Sequence, residues 1–197
     1  EVGVGKTLSL AAAAMLSALL DDGPVLILCP STLTVQWQVE LADKLGIPSA
    51  VWSSARKVWI DAQGHVIKTR GAQDVANCPV RIAIVSTGLI FYRDSEERQA
   101  LLDRSGYGTV VLDEAHRARR RSGFGGTRGE PNNLLDFLLR IGPQTKNLLL
   151  GTATPIQTDV RDLWDLLEAL TSGADFVLGR SPHSRWFDPL QALPLVK

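Results

Sequence analysis

The first seven residues combine glycine, lysine and threonine at a spacing that can hold phosphate. Gly3 and Gly5 let backbone N–H groups converge on phosphate oxygens, and the helix predicted over residues 8–20 adds the partial positive charge of its N-terminus. Lys6 then reaches the β and γ phosphates of a nucleotide, and Thr7 offers its hydroxyl to Mg²⁺. The predicted nucleotide contacts are Gly3, Val4, Gly5, Lys6 and Thr7. The alternative is a glycine-containing helix start with a solvated lysine.

An acidic pair, Asp113 and Glu114, directly follows the apolar run at 109–112. A buried strand there holds the carboxylate of Asp113 rigidly where the strand emerges, so that it can hold Mg²⁺ opposite Thr7. Glu114 can orient and deprotonate an attacking water. The alternative is a pair of carboxylates that cap the strand and pair with the arginines that follow.

The segments between these clusters alternate between strands and helices. Apolar runs at 25–29, 82–85 and 109–112 are typical of strands buried on both faces, and 146–150 is a fourth strand. The predicted helices are an uninterrupted run over residues 8–20, a helix with apolar residues at three-to-four spacing over 33–45, one over about 132–141, and a last amphipathic helix capped by Asp159. Such alternation predicts a three-layer α/β fold, in which helices cover both faces of a parallel sheet. The polar clusters all follow strands, so we expect them along one sheet edge.

Two segments interrupt this alternation. Around Gln63-Gly64, two short runs within about 53–79 predict an inserted β-hairpin. Its surface is either a nucleic-acid or partner surface or a set of ordinary solvated side chains; the residues concerned are Lys57, Trp59, His65, Lys68 and Arg70. A basic, glycine-rich loop at 117–129 either grips DNA phosphates or a partner, or is solvated; its arginines are Arg117, Arg119, Arg120, Arg121 and Arg128.

The composition is that of an ordinary globular protein. Lys plus Arg and Asp plus Glu both number 21, so net charge neither indicates nor excludes a nucleic-acid partner. The two cysteines, Cys29 and Cys78, have no second ligand nearby and are predicted to be buried thiols in a reducing compartment. The longest apolar run is too short to span a bilayer, and we expect a cytoplasmic protein without membrane contact.

Several motifs occur together in a characteristic order. They are Gly-Val-Gly-Lys-Thr at 3–7, Leu-Cys-Pro-Ser-Thr-Leu-Thr-Val-Gln-Trp at 28–37, Val-Ser-Thr at 85–87, Asp-Glu-Ala-His at 113–116 and Gly-Thr-Ala-Thr-Pro-Ile-Gln at 151–157. The first, fourth and fifth resemble motifs I, II and III of the superfamily-two helicases, including their DEAH box. The second and third are similar to motifs Ia and Ib of the Swi/Snf branch of DNA-translocating ATPases.

This resemblance implies a RecA-like P-loop NTPase lobe that hydrolyses ATP with Mg²⁺ and moves along double-stranded DNA. Lys6 and Thr7 would hold the phosphates and the metal, with Asp113 on the metal and Glu114 on the water. His116 would contact the nucleotide site and relay its state to motif III. The implied coupling residues are Thr152 and Thr154. The implied DNA-backbone contacts are Ser31, Thr32, Ser86 and Thr87, although each hydroxyl can equally be a helix cap.

The resemblance also defines an expected domain organisation. Residues 1–171 would form the ATP-binding lobe, and 172–197 an irregular tail that leads toward a second RecA-like lobe of the same polypeptide. Because the phosphate loop lacks its first position and the second lobe is absent, we expect an N-terminally truncated fragment with little hydrolysis of its own. Two alternatives remain: a strand-separating superfamily-two helicase subunit, and a nucleotide-dependent binding scaffold with little turnover.

Overall fold

The computed structural model describes residues 5–20, 23–122, 128–156, 161–171, 177–179, 184–192 and 194. The strands are β1 (Val25–Cys29), β2 (Ser49–Ser53), β3 (Val58–Asp61), β4 (Val66–Lys68), β5 (Ile82–Ser86), β6 (Tyr107–Asp113), β7 (Arg120–Ser122), β8 (Arg128–Pro131) and β9 (Thr145–Gly151). The α-helices are α1 (Lys6–Leu19), α2 (Thr34–Val39), α3 (Glu96–Asp103), α4 (Asn133–Ile141), α5 (Arg161–Thr171) and α6 (Pro189–Ala192). The chain divides into two compact units, Glu1–Ala115 with Gln144–Ala153, and His116–Pro143 with Thr154–Lys197.

The first unit contains a seven-stranded sheet in the order β4-β3-β2-β5-β1-β6-β9. The neighbours from β2 to β9 pair in parallel, and β3 and β4 extend one edge in antiparallel pairing. Strand β1 lies between β5 and β6 and is buried along its whole length, as its wholly apolar sequence predicts. The predicted α/β fold with a largely parallel sheet is confirmed.

Small residues let helix α1 lie close against this sheet. Ala11, Ala14 and Ala18 recur every three to four positions and are buried in one apolar cluster with alternate residues of β1, such as Val25 and Ile27. The cluster therefore fixes the start of α1 relative to the strand ends. None of the described helices is long and apolar enough to cross a membrane.

The helix predicted over residues 33–45 is divided into three parts. A 3₁₀ turn at Ser31–Leu33 leads into α2, and Glu40–Lys44 continues as a π-helix. The chain leaves this helix at Gly46, whose φ of 65° is the left-handed conformation that glycine adopts without strain. The apolar spacing predicted the helical extent but not its change of pitch.

The hairpin predicted between residues 53 and 79 is confirmed as β3 and β4. It does not stand apart from the sheet, because β3 pairs along its length with β2. The rings of Trp52 and Trp59 meet edge to face with centroids 5.2 Å apart, which fixes the hairpin against β2.

In the second unit, the segment predicted as a basic loop contains the antiparallel pair β7 and β8. The loop prediction at 117–129 was therefore wrong for its two ends, while residues 123–127 lie outside the described residues. Helix α4 begins as predicted, with the Asn132 side chain accepting from the N–H of Leu135 at 2.9 Å. Asp159, predicted as the cap of α5, lies outside the described residues, and the tail contains a 3₁₀ turn at Arg185–Phe187 and α6.

Candidate nucleotide site at the carboxyl edge of the sheet

Helix α1 begins at Lys6 immediately after a left-handed glycine. Gly5 has φ of 74° and caps the helix without a side chain, and its carbonyl accepts from the N–H of Ser9 at 2.9 Å. The first turn contains no acidic residue, so the positive end of the helix is not neutralised by its own side chains. This is the local geometry that an anion-binding helix start requires. Gly3 and Val4 lie outside the described residues.

The acidic pair stands at the end of the buried strand β6. Asp113 is only 2% exposed, and its Oδ1 accepts the backbone N–H of Glu114 at 2.9 Å. Glu114 has φ of 54°, a left-handed conformation that is uncommon for a residue with a side chain. The chain therefore turns sharply at the point where the sequence predicted a metal ligand followed by a catalytic base.

Lys6 joins the two clusters. Its Nζ lies 2.9 Å from Oε1 of Glu114 and 3.3 Å from Oδ1 of Asp113. Partial burial alone favours the neutral amine, but the hydrogen bond to Glu114 and the charge of Asp113 outweigh it, so the pKa of Lys6 is raised. Residues more than a hundred positions apart are thus in contact at the end of β6, with the ammonium of Lys6 close to both carboxylates.

The residues at this edge fit Mg²⁺. Thr7, the second residue of α1, is half-buried and supplies a hydroxyl oxygen, while Asp113 supplies a carboxylate. Hard oxygen donors suit Mg²⁺, which is usually held by one or two protein side chains together with phosphate oxygens. Within the described residues no cluster of three or more His, Cys, Asp or Glu could hold a metal without such help.

The third predicted motif begins beside Asp113. In the parallel register of β6 and β9, Gly151 is the partner of Asp113. A Cβ atom at Gly151 would come within 2.4 Å of Cδ1 of Leu10 in α1, so the absence of a side chain lets helix and strand approach closely. Thr152 follows and is half-buried. His116 is half-buried and Thr154 exposed, both in the second unit, and their coupling role remains a prediction.

The four predicted DNA contacts have different environments. Ser31 and Thr32 are exposed after the end of β1. Ser86 lies opposite Cys29 in the neighbouring strand, and its hydroxyl accepts from the N–H of Gly88 at 3.1 Å. Thr87 is 1% exposed, and its hydroxyl, which makes no hydrogen bond to the described residues, is not presented at the surface. The geometry thus favours Ser31 and Thr32, rather than Ser86 and Thr87, as candidate DNA contacts.

The hairpin side chains predicted as a possible partner surface are largely engaged within the chain. Lys57 pairs with Glu97, and the His65 ring lies 3.0 Å from the carboxylate of Asp61. Trp59 is 1% exposed and donates its indole N–H to a backbone carbonyl at 3.0 Å. These contacts favour the structural interpretation of the hairpin.

Arg120 of the basic segment makes several contacts within the chain. In the second unit, Nη2 of Arg120 lies 2.9 and 3.0 Å from the two carboxylate oxygens of Glu168. The backbone N–H of Arg120 donates to Asp165 at 2.7 Å. Arg120 therefore ties β7 to α5, whereas Arg121 beside it is exposed.

The predicted burial of the thiols holds for one cysteine. Cys29 is buried and Cys78 half-buried, and neither forms a disulfide. Burial raises the pKa of each to about 12, so both thiols are protonated and poorly nucleophilic at neutral pH.

A family model described as the SNF2-related domain matches residues 1–189 of the chain. The chain belongs to the SNF2-related domain family. The chain is 27% identical over 176 residues to Protein CHROMATIN REMODELING 19 of Arabidopsis thaliana, a match covering 85% of this chain and 21% of that protein. It is 28% identical over 176 residues to the ATP-dependent helicase YqhH of Bacillus subtilis, covering 88% and 25%. It is 29% identical over 161 residues to the RNA polymerase-associated protein RapA of Actinobacillus pleuropneumoniae, covering 80% and 15%.

The SNF2-related domain thus spans a quarter or less of the length of these relatives. Among solved structures, it is similar to the SWI2/SNF2 ATPase core of Sulfolobus solfataricus in complex with double-stranded DNA. The TM-score is 0.60 at 22% identity, over 88% of this chain and 30% of that chain. This likeness supports the RecA-like arrangement of the sheet.

Sequence reasoning missed two features of the SNF2-related domain. One is the left-handed backbone of Glu114, which no residue pattern indicates because glutamate has no preference for that conformation. The other is Trp37, which lies at an apolar position of α2 and donates its indole N–H to Oδ2 of Asp113 at 3.1 Å. Its partner is 76 positions away, so the local pattern could indicate burial but not this bond.

Proposed function

We propose that this SNF2-related domain is the ATP-binding lobe of a DNA-dependent ATPase that couples hydrolysis to translocation along double-stranded DNA. The observation that carries the proposal is the meeting of Lys6 with both carboxylates of the acidic pair at the sheet edge, Asp113 at 3.3 Å and Glu114 at 2.9 Å. Relatives named ATP-dependent helicase, and a similar fold solved with double-stranded DNA, support the substrate assignment.

Each residue of the site has a proposed task. The loop before α1 and the helix start bind the phosphates, and Lys6 exchanges its carboxylate partners for phosphate oxygens. Asp113 and Thr7 hold Mg²⁺, which when bound neutralises charge on the phosphates. Glu114, released from Lys6, orients the attacking water and accepts its proton. The remaining proposed nucleotide contacts are Gly3, Val4, Gly5 and His116.

The sequence at 113–116 is accordingly assigned as a DEAH box. Ser31 and Thr32 are proposed to touch the DNA backbone, which positions the duplex without reading its sequence. Thr152 and Thr154 are proposed to couple the nucleotide state to the contact with DNA. The proposed partners are duplex DNA and a second RecA-like lobe of the same polypeptide, without which this chain is expected to turn over little ATP. The free thiols of Cys29 and Cys78 fit a proposed cytoplasmic location.

The test is phosphate release by the intact protein with and without duplex DNA, together with displacement of a third strand from a DNA triplex. Duplex-stimulated release with triplex displacement supports translocation. Unwinding of a forked duplex would instead favour a strand-separating helicase. This is the second candidate function, because two relatives are named ATP-dependent helicases. Binding without turnover would identify a scaffold.

The variant that tests the proposed nucleotide site is Lys6→Ala. It removes the ammonium that the phosphates require and is expected to abolish nucleotide binding, measured by titration with a fluorescent ATP analogue. Lys44→Ala is the control, because that lysine is exposed and contacts its helix neighbour Glu40 at 3.9 Å. Unchanged nucleotide affinity in Lys6→Ala would contradict the proposed site.

A further inference from the structure

Trp37 is buried and contacts Asp113, the first residue of the acidic pair. Its side chain is fully inaccessible, and its indole Nε1 lies 3.1 Å from Oδ2 of Asp113, whose side chain is itself 2% exposed. An indole can only donate a hydrogen bond, so the direction of this contact is fixed: the N–H donates and the carboxylate accepts.

The two oxygens of Asp113 have different donors. Oδ1 accepts the backbone N–H of Glu114 at 2.9 Å and lies 3.3 Å from Nζ of Lys6. Oδ2 accepts from Trp37. Under the proposed function Lys6 leaves the carboxylate for phosphate, and the indole then remains as a neutral donor that holds the plane of the carboxylate without competing for its charge.

The packing of Trp37 makes this donor rigid. Its ring belongs to an apolar cluster that includes residues of α1 and of the central strands, such as Ile27, and Leu41 of the π-helical segment Glu40–Lys44. Its helix continues directly from the 3₁₀ turn that carries Ser31 and Thr32, and the hydroxyl of Thr34 donates to the carbonyl of Ser31 at 3.0 Å.

We propose that Trp37 is a positioning residue that orients the metal-holding carboxylate of Asp113 through its indole N–H. The inference rests on the proposed function, because it assigns the metal to that carboxylate. Hydrogen-bond partners behind a metal ligand fix its orientation, and their loss commonly weakens metal binding by about 10- to 100-fold. Trp37 would thereby join the segment of the predicted DNA contacts to the metal ligand.

The chain offers a closely matched control for Trp37→Phe. Trp59 is also buried, at 1% exposure, and its indole N–H also makes one hydrogen bond, 3.0 Å from the carbonyl of Asp74. Trp59→Phe thus removes the same atoms and the same kind of donor, but from a backbone acceptor in the 3₁₀ segment Ala72–Ala76 that follows the hairpin. A purely structural role of Trp37 predicts similar behaviour of the two variants.

The measurement is binding of Mn²⁺ to the intact protein with a non-hydrolysable ATP analogue, followed by electron paramagnetic resonance. We expect Trp37→Phe to weaken Mn²⁺ binding by about 10- to 100-fold, with the nucleotide still bound, and Trp59→Phe to leave it unchanged. Equal Mn²⁺ affinities of wild type and Trp37→Phe, or equal losses in both variants, would overturn the inference.

A second variant covers the case in which Trp37→Phe does not fold. Benzothienylalanine at position 37 keeps the bicyclic shape but replaces the N–H with sulfur, and it should weaken Mn²⁺ binding to the same extent. Unchanged affinity with this residue would also overturn the inference. Wild-type protein that binds neither Mn²⁺ nor nucleotide would instead contradict the proposed function itself, and this inference with it.

Discussion

Glu114→Gln should separate catalysis from stability, because the carboxylate contributes little to the fold. Its Oε1 lies 2.9 Å from Nζ of Lys6, but the two side chains are 28% and 27% exposed, so solvent screens the pair. Such a pair contributes about 1 kcal/mol or less to stability. Glutamine retains an oxygen acceptor for Lys6, which also keeps its contact with Asp113 at 3.3 Å. We therefore expect the free energy of unfolding to fall by less than about 1 kcal/mol.

Turnover should fall much further. Glutamine cannot accept the proton of the attacking water, and the loss of a positioned general base costs about 100-fold or more in rate. A 100-fold loss corresponds to about 2.7 kcal/mol in the activation free energy. The assays are DNA-stimulated phosphate release by the intact protein, binding of a fluorescent ATP analogue and thermal unfolding. ATP binding should remain, because Gly5, Lys6 and Thr7 are unchanged.

Glu168→Gln is the control for this experiment. Glu168 matches Glu114 in exposure, 27% against 28%, and lies 2.9 Å from a cation, Arg120, in the second unit. It should lower stability at least as much as Glu114→Gln while leaving turnover near the wild-type rate. Near-normal turnover in Glu114→Gln, or a loss explained by weaker ATP binding, would refute the assignment of Glu114 as the group that activates water.

Two further predictions concern the free energy of unfolding, measured by chemical denaturation. Gly23→Ala should lower it by about 1–3 kcal/mol, because Gly23 has φ of 111° and a Cβ there would lie 2.8 Å from the carbonyl oxygen of Gly106. Gly64→Ala, where φ is 83° but nothing lies within contact distance, should lower it less, and equal losses would exclude the steric cause. Arg120→Gln should lose about 1–3 kcal/mol through its broken carboxylate contacts, while exposed Arg121→Gln should change stability by less than about 0.5 kcal/mol; an unaffected Arg120→Gln would show that its ion pairs are incidental.

The sequence predicts the central strands well because their physical signal is local. Strands β1 and β5 are apolar at nearly every position, and β6 contains the apolar run Val110–Leu112. Such runs are typical of strands that are covered on both faces. Their carboxyl ends must then share one edge, which is why the sequence alone predicts that Lys6 and the acidic pair lie close together. Predicting the contact between Lys6 and the acidic pair required only the direction of the strands and the order of the motifs.

The features that sequence reasoning missed depend on distant partners. Strand β7 has no apolar alternation, so the sequence predicted a loop there. In the structure Arg120 connects this strand to Asp165 and Glu168, more than forty positions away. The same holds for Trp37, whose apolar neighbours predict burial but not a polar contact. Local periodicity contains no information about such pairs, since it reports which face of an element is buried and not what meets it there.

The acidic pair shows why a strained backbone belongs at this site. Successive side chains of a strand point to opposite faces of the sheet, so an extended chain would direct Asp113 and Glu114 away from each other. Both nevertheless reach the same ammonium, because the left-handed turn at Glu114, with φ of 54°, breaks the alternation. Such a conformation costs about 1–3 kcal/mol for a residue with a side chain. The N–H bond to Asp113 and the contact with Lys6 offset that cost, so the strain persists where we propose that two adjacent carboxylates act on one nucleotide.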